Sequence, residues 1–88
     1  MNITLHPTFV KHYRKRIASN ANLNTKTQER IKLFKLDRQN PLLKDHQLTG
    51  AKKHLRAFGI TGDIRIVYFP KSANHVILLD VGSHNQIY

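Results

Sequence analysis

The chain has 88 residues, no cysteine, and 15 lysines and arginines against five aspartates and glutamates, which gives a formal net charge of +10. This length supports one domain, residues 1–88, and the absence of cysteine excludes disulfides, a thiol nucleophile and most kinds of zinc site. Such a charge excess favours nucleic acid as the partner, with an acidic protein or a membrane surface second and a merely solubilising surface as the alternative.

The sequence carries no export or membrane signal. At the N-terminus no basic stretch is followed by an apolar segment, so no signal peptide is predicted. The longest apolar run, from Val76 to Leu79, is far shorter than the ~20 residues of a membrane span. We therefore expect a cytoplasmic protein.

The first half of the chain predicts a short strand followed by two helices. Residues 2–5 alternate as in a strand, and Pro7 suits the first turn of an amphipathic helix. The polar segment 19–24 predicts a loop. Thr25 and Gln28 have capping-box spacing at the start of a second helix, which the Asn40-Pro41 pair ends.

The second half of the chain has the period-two pattern of strands. Candidate strands cover residues 53–59, 63–69 and 75–81, with a terminal segment at 84–88, and short turn signals between them predict hairpins. The fold class is therefore α+β, with two N-terminal helices packed on one face of an antiparallel sheet in the order β-α-α-β-β-β(-β). In one possible register Arg56 and Arg65 meet on the open face of that sheet.

Groups capable of proton transfer are concentrated in the second half of the chain: His46, His54, Asp63, His75, Asp80, His84 and Tyr88. Cleavage of RNA by transesterification needs a base for the 2′-hydroxyl, an acid for the leaving 5′-oxygen, and cations for the phosphate charge. Histidine can serve as either acid or base near neutral pH. Composition alone does not separate such a nuclease from a passive RNA-binding protein.

Four segments of the sequence resemble the RelE/ParE superfamily of bacterial toxins, and the YafQ branch most: LKDHQLTG at 43–50, LR at 55–56, GDIRIVY at 62–68 and VGSHNQIY at 81–88. The resemblance implies a RelE-like fold and a toxin of a type II toxin-antitoxin system. The implied activity is a metal-free endoribonuclease without cofactors that cleaves messenger RNA at the ribosome. An acidic antitoxin would hold the toxin inactive, and DNA would be contacted only through the antitoxin complex.

The same resemblance assigns the candidate catalytic residues His46, Asp63, His84 and Tyr88. His84 is expected to act as general acid or base, and Asp63 either orients a histidine or is itself the base. Tyr88 either stacks on an RNA base or plugs the core at the end of the last strand. The order of the two proton transfers stays open at this stage.

Cationic side chains are the candidate phosphate ligands. Arg65 matches an arginine found widely in the superfamily, and Arg56 could join it, because a guanidinium grips two phosphate oxygens. Lys52 and Lys53 are expected to add to the general positive field. No pair of histidines has the spacing of a zinc motif, so no metal site is predicted.

Two positions depart from the YafQ pattern. Gly59 stands roughly where YafQ-like sequences place another histidine, and Ile64 stands where they place tryptophan. The catalytic set is therefore expected to be reduced or rearranged.

Two other functions compete with the ribonuclease. A ParE-like toxin would inhibit DNA gyrase by binding it, without catalysis, but the histidines speak against that function. A non-catalytic RNA-binding module would leave the histidine, aspartate and tyrosine set without a purpose, and no RNP-type or KH-type motif supports it.

Overall fold

The computed structural model describes all residues from Met1 to Tyr88. Its elements, in chain order, are β1 (Asn2–Leu5), α1 (Pro7–Arg16), α2 (Ala21–Leu36), a 3-10 turn (Pro41–Leu43), β2 (His46–Gln47), a second 3-10 turn (Gly50–Lys52), β3 (Arg56–Gly59), β4 (Ile64–Ser72), β5 (His75–Ser83) and α3 (His84–Ile87). The predicted α+β class is confirmed.

All five strands form one sheet in the order β1-β5-β4-β3-β2. The strands from β2 to β5 pair antiparallel, as predicted. β1, in contrast, pairs parallel to β5, with Ile3 opposite Val76. The sheet is therefore mixed, because β1 is joined to its neighbour through the rest of the chain and not through a tight hairpin that would force an antiparallel pair.

The first helix begins at Pro7 as predicted, but the prediction for the second was wrong at both ends. α2 begins at Ala21, four residues before Thr25, because the Asn20 side chain accepts a hydrogen bond from the Leu23 backbone N–H at 3.0 Å and so caps the helix. It ends at Leu36, and Pro41 begins the first 3-10 turn instead. None of the helices combines the length and the apolar character needed to cross a membrane.

The strand boundaries also differ from the prediction. β3 begins at Arg56 and not at residue 53, because residues 50–52 form the second 3-10 turn. The terminal segment 84–88 is a helical turn and not a strand. Ser83 is paired with Ile64, the first residue of β4, so the chain beyond it has no neighbouring strand with which to pair. It coils instead, and the Ser83 N–H donates to the Gln86 side chain at 2.7 Å.

The sheet has a different apolar cluster on each face. The larger cluster packs both long helices on the sheet, and Phe34 of α2 stacks on Phe58 of β3 with ring centroids 4.4 Å apart. On the other face, Ile87 of α3 covers a small cluster. This second, thinly covered face carries the site described below.

The register places Arg56 and Arg65 on opposite faces, so the expectation that they meet was wrong. Arg56 is opposite Tyr68 and lies two residues before Phe58 in the same strand, which puts it on the same, helix-covered face. Arg65 is opposite Gly59 and alternates with Ile66 of the main core, which puts it on the other face. Alternation along each strand decides the face once the register is set.

Candidate functional site

A hollow of about 560 Å³ lies where α3 and the β2 segment approach the thinly covered face of the sheet. We call it the histidine hollow. It brings together five of the predicted site residues, which come from four parts of the chain: His46 from β2, Lys52 from the second 3-10 turn, Arg65 from β4, and His84 and Tyr88 from α3 and the residue that follows it. Gln47 and Thr49 also line it, and neither was singled out from the sequence.

His46 is oriented by the backbone of the preceding turn. Lys44 adopts a left-handed conformation, with φ of 50°, at the end of the first 3-10 turn. Its carbonyl oxygen lies 2.9 Å from His46 Nδ1. Because a carbonyl oxygen can only accept, His46 Nδ1 carries the hydrogen, and Nε2 is left for the hollow.

His84 is held in the opposite way. Its Nδ1 lies 3.3 Å from Nη1 of Arg65. A guanidinium can only donate, so His84 Nδ1 is the acceptor and the hydrogen of the neutral ring is on Nε2. The two imidazoles of the hollow are therefore in opposite tautomers, and the contact between Arg65 and His84 exists only while His84 is neutral.

Tyr88 forms the aromatic wall of the hollow. Its ring meets that of His84 edge-on, with centroids 4.6 Å apart, and the guanidinium carbon of Arg65 lies 5.9 Å from the Tyr88 ring centroid. Tyr88 is 40% exposed, so the prediction that it plugs the core does not describe its position. Lys52 Nζ donates to the Ile87 carbonyl at 3.3 Å, which fastens α3 to the second 3-10 turn.

Two residues outside the hollow fix the start of α3. The carboxylate of Asp63 accepts a hydrogen bond from the His84 backbone N–H at 3.3 Å. A Cβ at Gly82 would lie 2.6 Å from Gln86 Oε1 and 2.8 Å from Arg16 Nη1, so any larger residue there would displace the ends of both side chains. The direct contact of Asp63 is thus with the backbone that carries His84 and not with an imidazole nitrogen.

Arg56 belongs to a separate group of polar side chains, Asp45, Arg38, Arg56 and Tyr68, which we call the Asp45 cluster. Asp45 Oδ1 accepts from Arg56 Nε at 3.1 Å, and its other oxygen accepts from the Tyr68 hydroxyl at 2.7 Å. Arg38 Nε lies 3.6 Å from the same carboxylate. The structure therefore keeps Arg56 away from the histidine hollow.

The Asp45 cluster perturbs two ionisations. Burial opposes the charge on Arg56, but the Asp45 carboxylate and the hydrogen bond with Tyr68 hold the pKa of that guanidinium above its ordinary value. Burial, together with the hydrogen bond to Asp45, raises the pKa of the Tyr68 phenol. Asp45 was not singled out from the sequence, although it directly precedes His46. Arg56 is the signal that could have found Asp45. It lies on the same strand face as apolar Phe58, and a cation at such a position needs an acidic partner.

The other predicted site positions lie around the hollow. Lys53 is exposed just after the second 3-10 turn and does not line the hollow. Ile64, at one of the two departures, packs against the main core. Gly59, at the other, is opposite Arg65 in the sheet, and a Cβ there would make only ordinary contacts, at 3.6 Å or more.

The histidine hollow is positively charged and has no acidic lining. No aspartate or glutamate is among its residues, and every ion pair of the protein involves either Asp45 or Asp80. Lys52 and Arg65 are therefore not neutralised by the protein itself. No group of three or more histidine, aspartate or glutamate side chains has a geometry that could hold a metal ion. Such a surface suits a phosphodiester, with two imidazoles beside it.

A sequence model of the family described as the bacterial toxin of type II toxin-antitoxin system, YafQ, matches residues 1–88. The chain belongs to this family. The expected resemblance to YafQ is thereby confirmed, and the match covers all 88 residues of this chain. Comparison with the curated protein sequences gives no match.

Solved structures show the same fold. A copper-bound mutant toxin from Helicobacter pylori is 30% identical, with a TM-score of 0.76, and the alignment covers 100% of this chain and 99% of that one. The toxin in the E. coli DinJ-YafQ toxin-antitoxin complex is 16% identical, with a TM-score of 0.74 over 99% of this chain and 96% of that one. A YoeB/ParE toxin from Agrobacterium tumefaciens is 20% identical, with a TM-score of 0.78 over 96% of this chain and 99% of that one. The last two likenesses show the fold alone.

Proposed function

We propose that this YafQ-family toxin is an endoribonuclease that cleaves messenger RNA at the ribosome by metal-independent acid-base catalysis and so inhibits translation. One observation carries the proposal: His46 and His84, in opposite tautomers, share a cationic hollow that no aspartate or glutamate lines. A base, an acid and phosphate-binding cations are the groups that RNA transesterification requires.

His46 is suited to be the base. Its Nε2 takes the proton from the 2′-hydroxyl while the O2′ oxygen forms a bond to the adjacent phosphorus. The imidazole becomes positively charged in this step, and Nδ1–H continues to donate to the Lys44 carbonyl. The same hydrogen bond therefore serves both protonation states, so the ring need not reorient during the reaction.

His84 is suited to be the acid once substrate is bound. Arg65 is its partner in the free protein, and a phosphate is a better partner for a guanidinium than a neutral imidazole is. When the phosphate takes Arg65, Nδ1 of His84 is released and can take up a proton. The imidazolium then gives its Nε2 proton to the leaving O5′ as the bond from phosphorus to O5′ breaks.

The remaining residues of the hollow bind and orient the RNA. Arg65 and Lys52 stabilise the charge that develops on the non-bridging phosphate oxygens. The exposed ring of Tyr88 offers a surface on which a base next to the cleaved bond can stack. Asp63 acts as a positioning residue, because it holds the backbone of His84. The products are a 2′,3′-cyclic phosphate and a free 5′-hydroxyl.

The proposal includes an acidic antitoxin as the partner that holds the toxin inactive. The E. coli structures contain YafQ together with DinJ in a toxin-antitoxin complex. The net charge of +10 favours a negatively charged protein partner in this chain as well. Messenger RNA and ribosomes as substrate and site of action imply the cytoplasm as the location.

The test is a translation reaction with purified toxin, in which cleavage positions are mapped on the messenger. His46→Ala and His84→Ala should each lower cleavage by about 100-fold to 10,000-fold, because each removes a proton-transfer group. His54→Ala is the matched control, since His54 is exposed and does not line the hollow. Unchanged cleavage in both variants would remove these histidines from the mechanism. An intact messenger together with inhibited DNA supercoiling by gyrase would replace the ribonuclease with a gyrase-binding toxin.

A further inference from the structure

A second hollow, of about 590 Å³, adjoins the histidine hollow, and the mechanism proposed above makes no use of it. We call it the lysine hollow after Lys26 and Lys44, which line it together with Arg30 and residues 59–62. Gly59 and Gly62 contribute no side chain to this segment, so it leaves the hollow open.

The two hollows adjoin each other. His46 and Arg65 line both of them, so the proposed base and the proposed phosphate ligand lie at their junction. A polymer whose reacting bond lies at His46 and Arg65 must continue away from that bond on both sides. The histidine hollow accommodates one direction, and the lysine hollow is the adjoining depression on the other side of the junction.

The cations of the lysine hollow are not neutralised by any acidic side chain. Lys26 and Arg30 are four residues apart on α2 and so lie on one side of that helix, one turn from each other. Neither they nor Lys44 form an ion pair, and no carboxylate lines the hollow. Glu29, the only acid in α2, lies outside it.

The fold holds this arrangement in place. Arg30 Nη1 donates to the Leu42 carbonyl at 2.6 Å and thereby ties α2 to the first 3-10 turn. Lys44 ends that turn in a left-handed conformation, which residues other than glycine rarely adopt. The same residue orients His46 through its carbonyl, so one backbone geometry positions both the proposed base and a cation of the lysine hollow.

We propose that the lysine hollow binds the backbone phosphates of the nucleotides that flank the cleaved bond, with Lys26 and Lys44 as direct ligands. This inference rests on the ribonuclease function proposed above. Because His46 and Arg65 line both hollows, one RNA strand that passes these two residues would contact both, which favours RNA over an acidic protein as the occupant. Arg30 adds positive charge, but its main contact is with the turn.

The expected effect follows from counterion release. Each phosphate contact to single-stranded nucleic acid contributes about 0.7 to the slope of log K against log salt, which is about 5-fold in affinity at about 0.1 M salt. Loss of two contacts should therefore weaken RNA binding about 25-fold at that salt concentration and lower the slope by about 1.4.

The experiment measures binding of the full chain to a fluorescent single-stranded RNA of about 12 nucleotides, a length typical of sites on such proteins. The RNA carries 2′-O-methyl groups throughout, so it cannot be cleaved. The test variant is Lys26→Gln/Lys44→Asn, because asparagine tolerates the left-handed conformation. The control is Lys32→Gln/Lys35→Gln, which removes two charges from α2 at exposed positions that do not line either hollow.

The proposal requires the test variant to lose affinity and salt dependence as stated, while the control keeps its slope and loses little affinity. Equal binding by the two double variants overturns it. Arg65→Gln in the same assay separates the two proposals: if Arg65→Gln weakens binding and the lysine pair does not, only the lysine hollow is rejected. If none of the variants differs from the parent protein, RNA binding at both hollows is rejected.

An acidic protein as the occupant is tested with a polyglutamate peptide as the probe. A test variant that loses polyglutamate binding but keeps RNA binding also overturns the proposal, because the hollow then serves a protein. Circular dichroism melting curves of the variants establish that the compared proteins are folded. Arg30 is left unchanged in every variant, since its removal would free the first 3-10 turn.

Discussion

The Asp45 cluster and the histidine hollow use similar side chains on opposite faces of the same two strands. Arg56 in the cluster meets a carboxylate that is 9% exposed, and the Tyr68 hydroxyl donates to the same group. Arg65 in the hollow meets no carboxylate and instead contacts His84 and Tyr88. The chain has only five acidic residues. An arginine that lies next to one of them has a structural role, whereas one that does not is free to bind a ligand.

The two regions also differ in how they would respond to the loss of one group. The carboxylate of Asp45 is nearly buried, so each of its donors offsets a desolvation cost, and their removal reduces stability. Arg65 in the hollow forms no ion pair, so its removal relieves repulsion and costs the fold little. Four predictions test this difference.

The largest effect is expected for the arginine of the hollow. Arg65→Gln should lower RNA cleavage by about 100-fold to 1,000-fold, since it removes a donor to the developing phosphate charge. Its free energy of unfolding should change little. The matched variant Arg56→Gln should do the reverse, keeping most of the activity and losing about 1 kcal/mol of stability from a partly exposed ion pair. Activity assays and urea unfolding of both variants check this, and equal activity losses would refute the division into two regions.

The next effect concerns the acid of the cluster. Asp45→Asn keeps the shape of the side chain but removes the charge that Arg56, Arg38 and Tyr68 share. We expect a loss of about 1.5–3 kcal/mol in the free energy of unfolding, the usual contribution of hydrogen bonds to a charged group. Chemical denaturation measures it, with the exposed Asp37→Asn as the control. A stability equal to that of the control would mean that the cluster contributes nothing to the fold.

A smaller effect is expected at the turn into α3. Gly82→Ala introduces a Cβ that would lie 2.6 Å from Gln86 Oε1 and 2.8 Å from Arg16 Nη1. Both atoms are ends of flexible side chains, but moving Gln86 breaks its hydrogen bond with the Ser83 N–H at the start of α3, so we expect about 0.5–1.5 kcal/mol of destabilisation with reduced cleavage. Gly62→Ala is the control, because a Cβ at Gly62 meets nothing within 4 Å. Equal melting temperatures of the two variants would contradict the prediction.

The smallest effect is spectroscopic. Because burial and Asp45 raise the pKa of Tyr68, its phenol should stay protonated in the folded protein as the pH rises through the ordinary range of tyrosine. The unfolded chain ionises there and the folded one does not, so this group lowers stability at alkaline pH. We expect the difference in phenolate absorbance between the wild type and Tyr68→Phe to stay constant as the pH is raised, until the protein unfolds. A phenolate signal from Tyr68 in the folded protein would contradict its burial.

Several parts of this protein were predictable from local patterns. The charge, the α+β order of elements and the alternation of Ile66, Val67 and Tyr68 between the two faces depend on composition and on periods of two and of 3.6 residues. The resemblance of short motifs also named His46, Arg65, His84 and Tyr88, which all line one hollow. Such motifs identify residues from distant parts of the chain that share one site. Periodicity describes only one helix or strand at a time and does not identify them.

The rest depended on contacts between distant residues. Only the register of β3 on β4 decided that Arg56 turns away from Arg65 and meets Asp45, and only the end of pairing at Ser83 decided that the C-terminus coils into a helix. The tautomers of the two histidines depend on Lys44 and Arg65 as neighbours in space. Register and neighbours of this kind result from packing the whole chain at once, so no local stretch of sequence contains them.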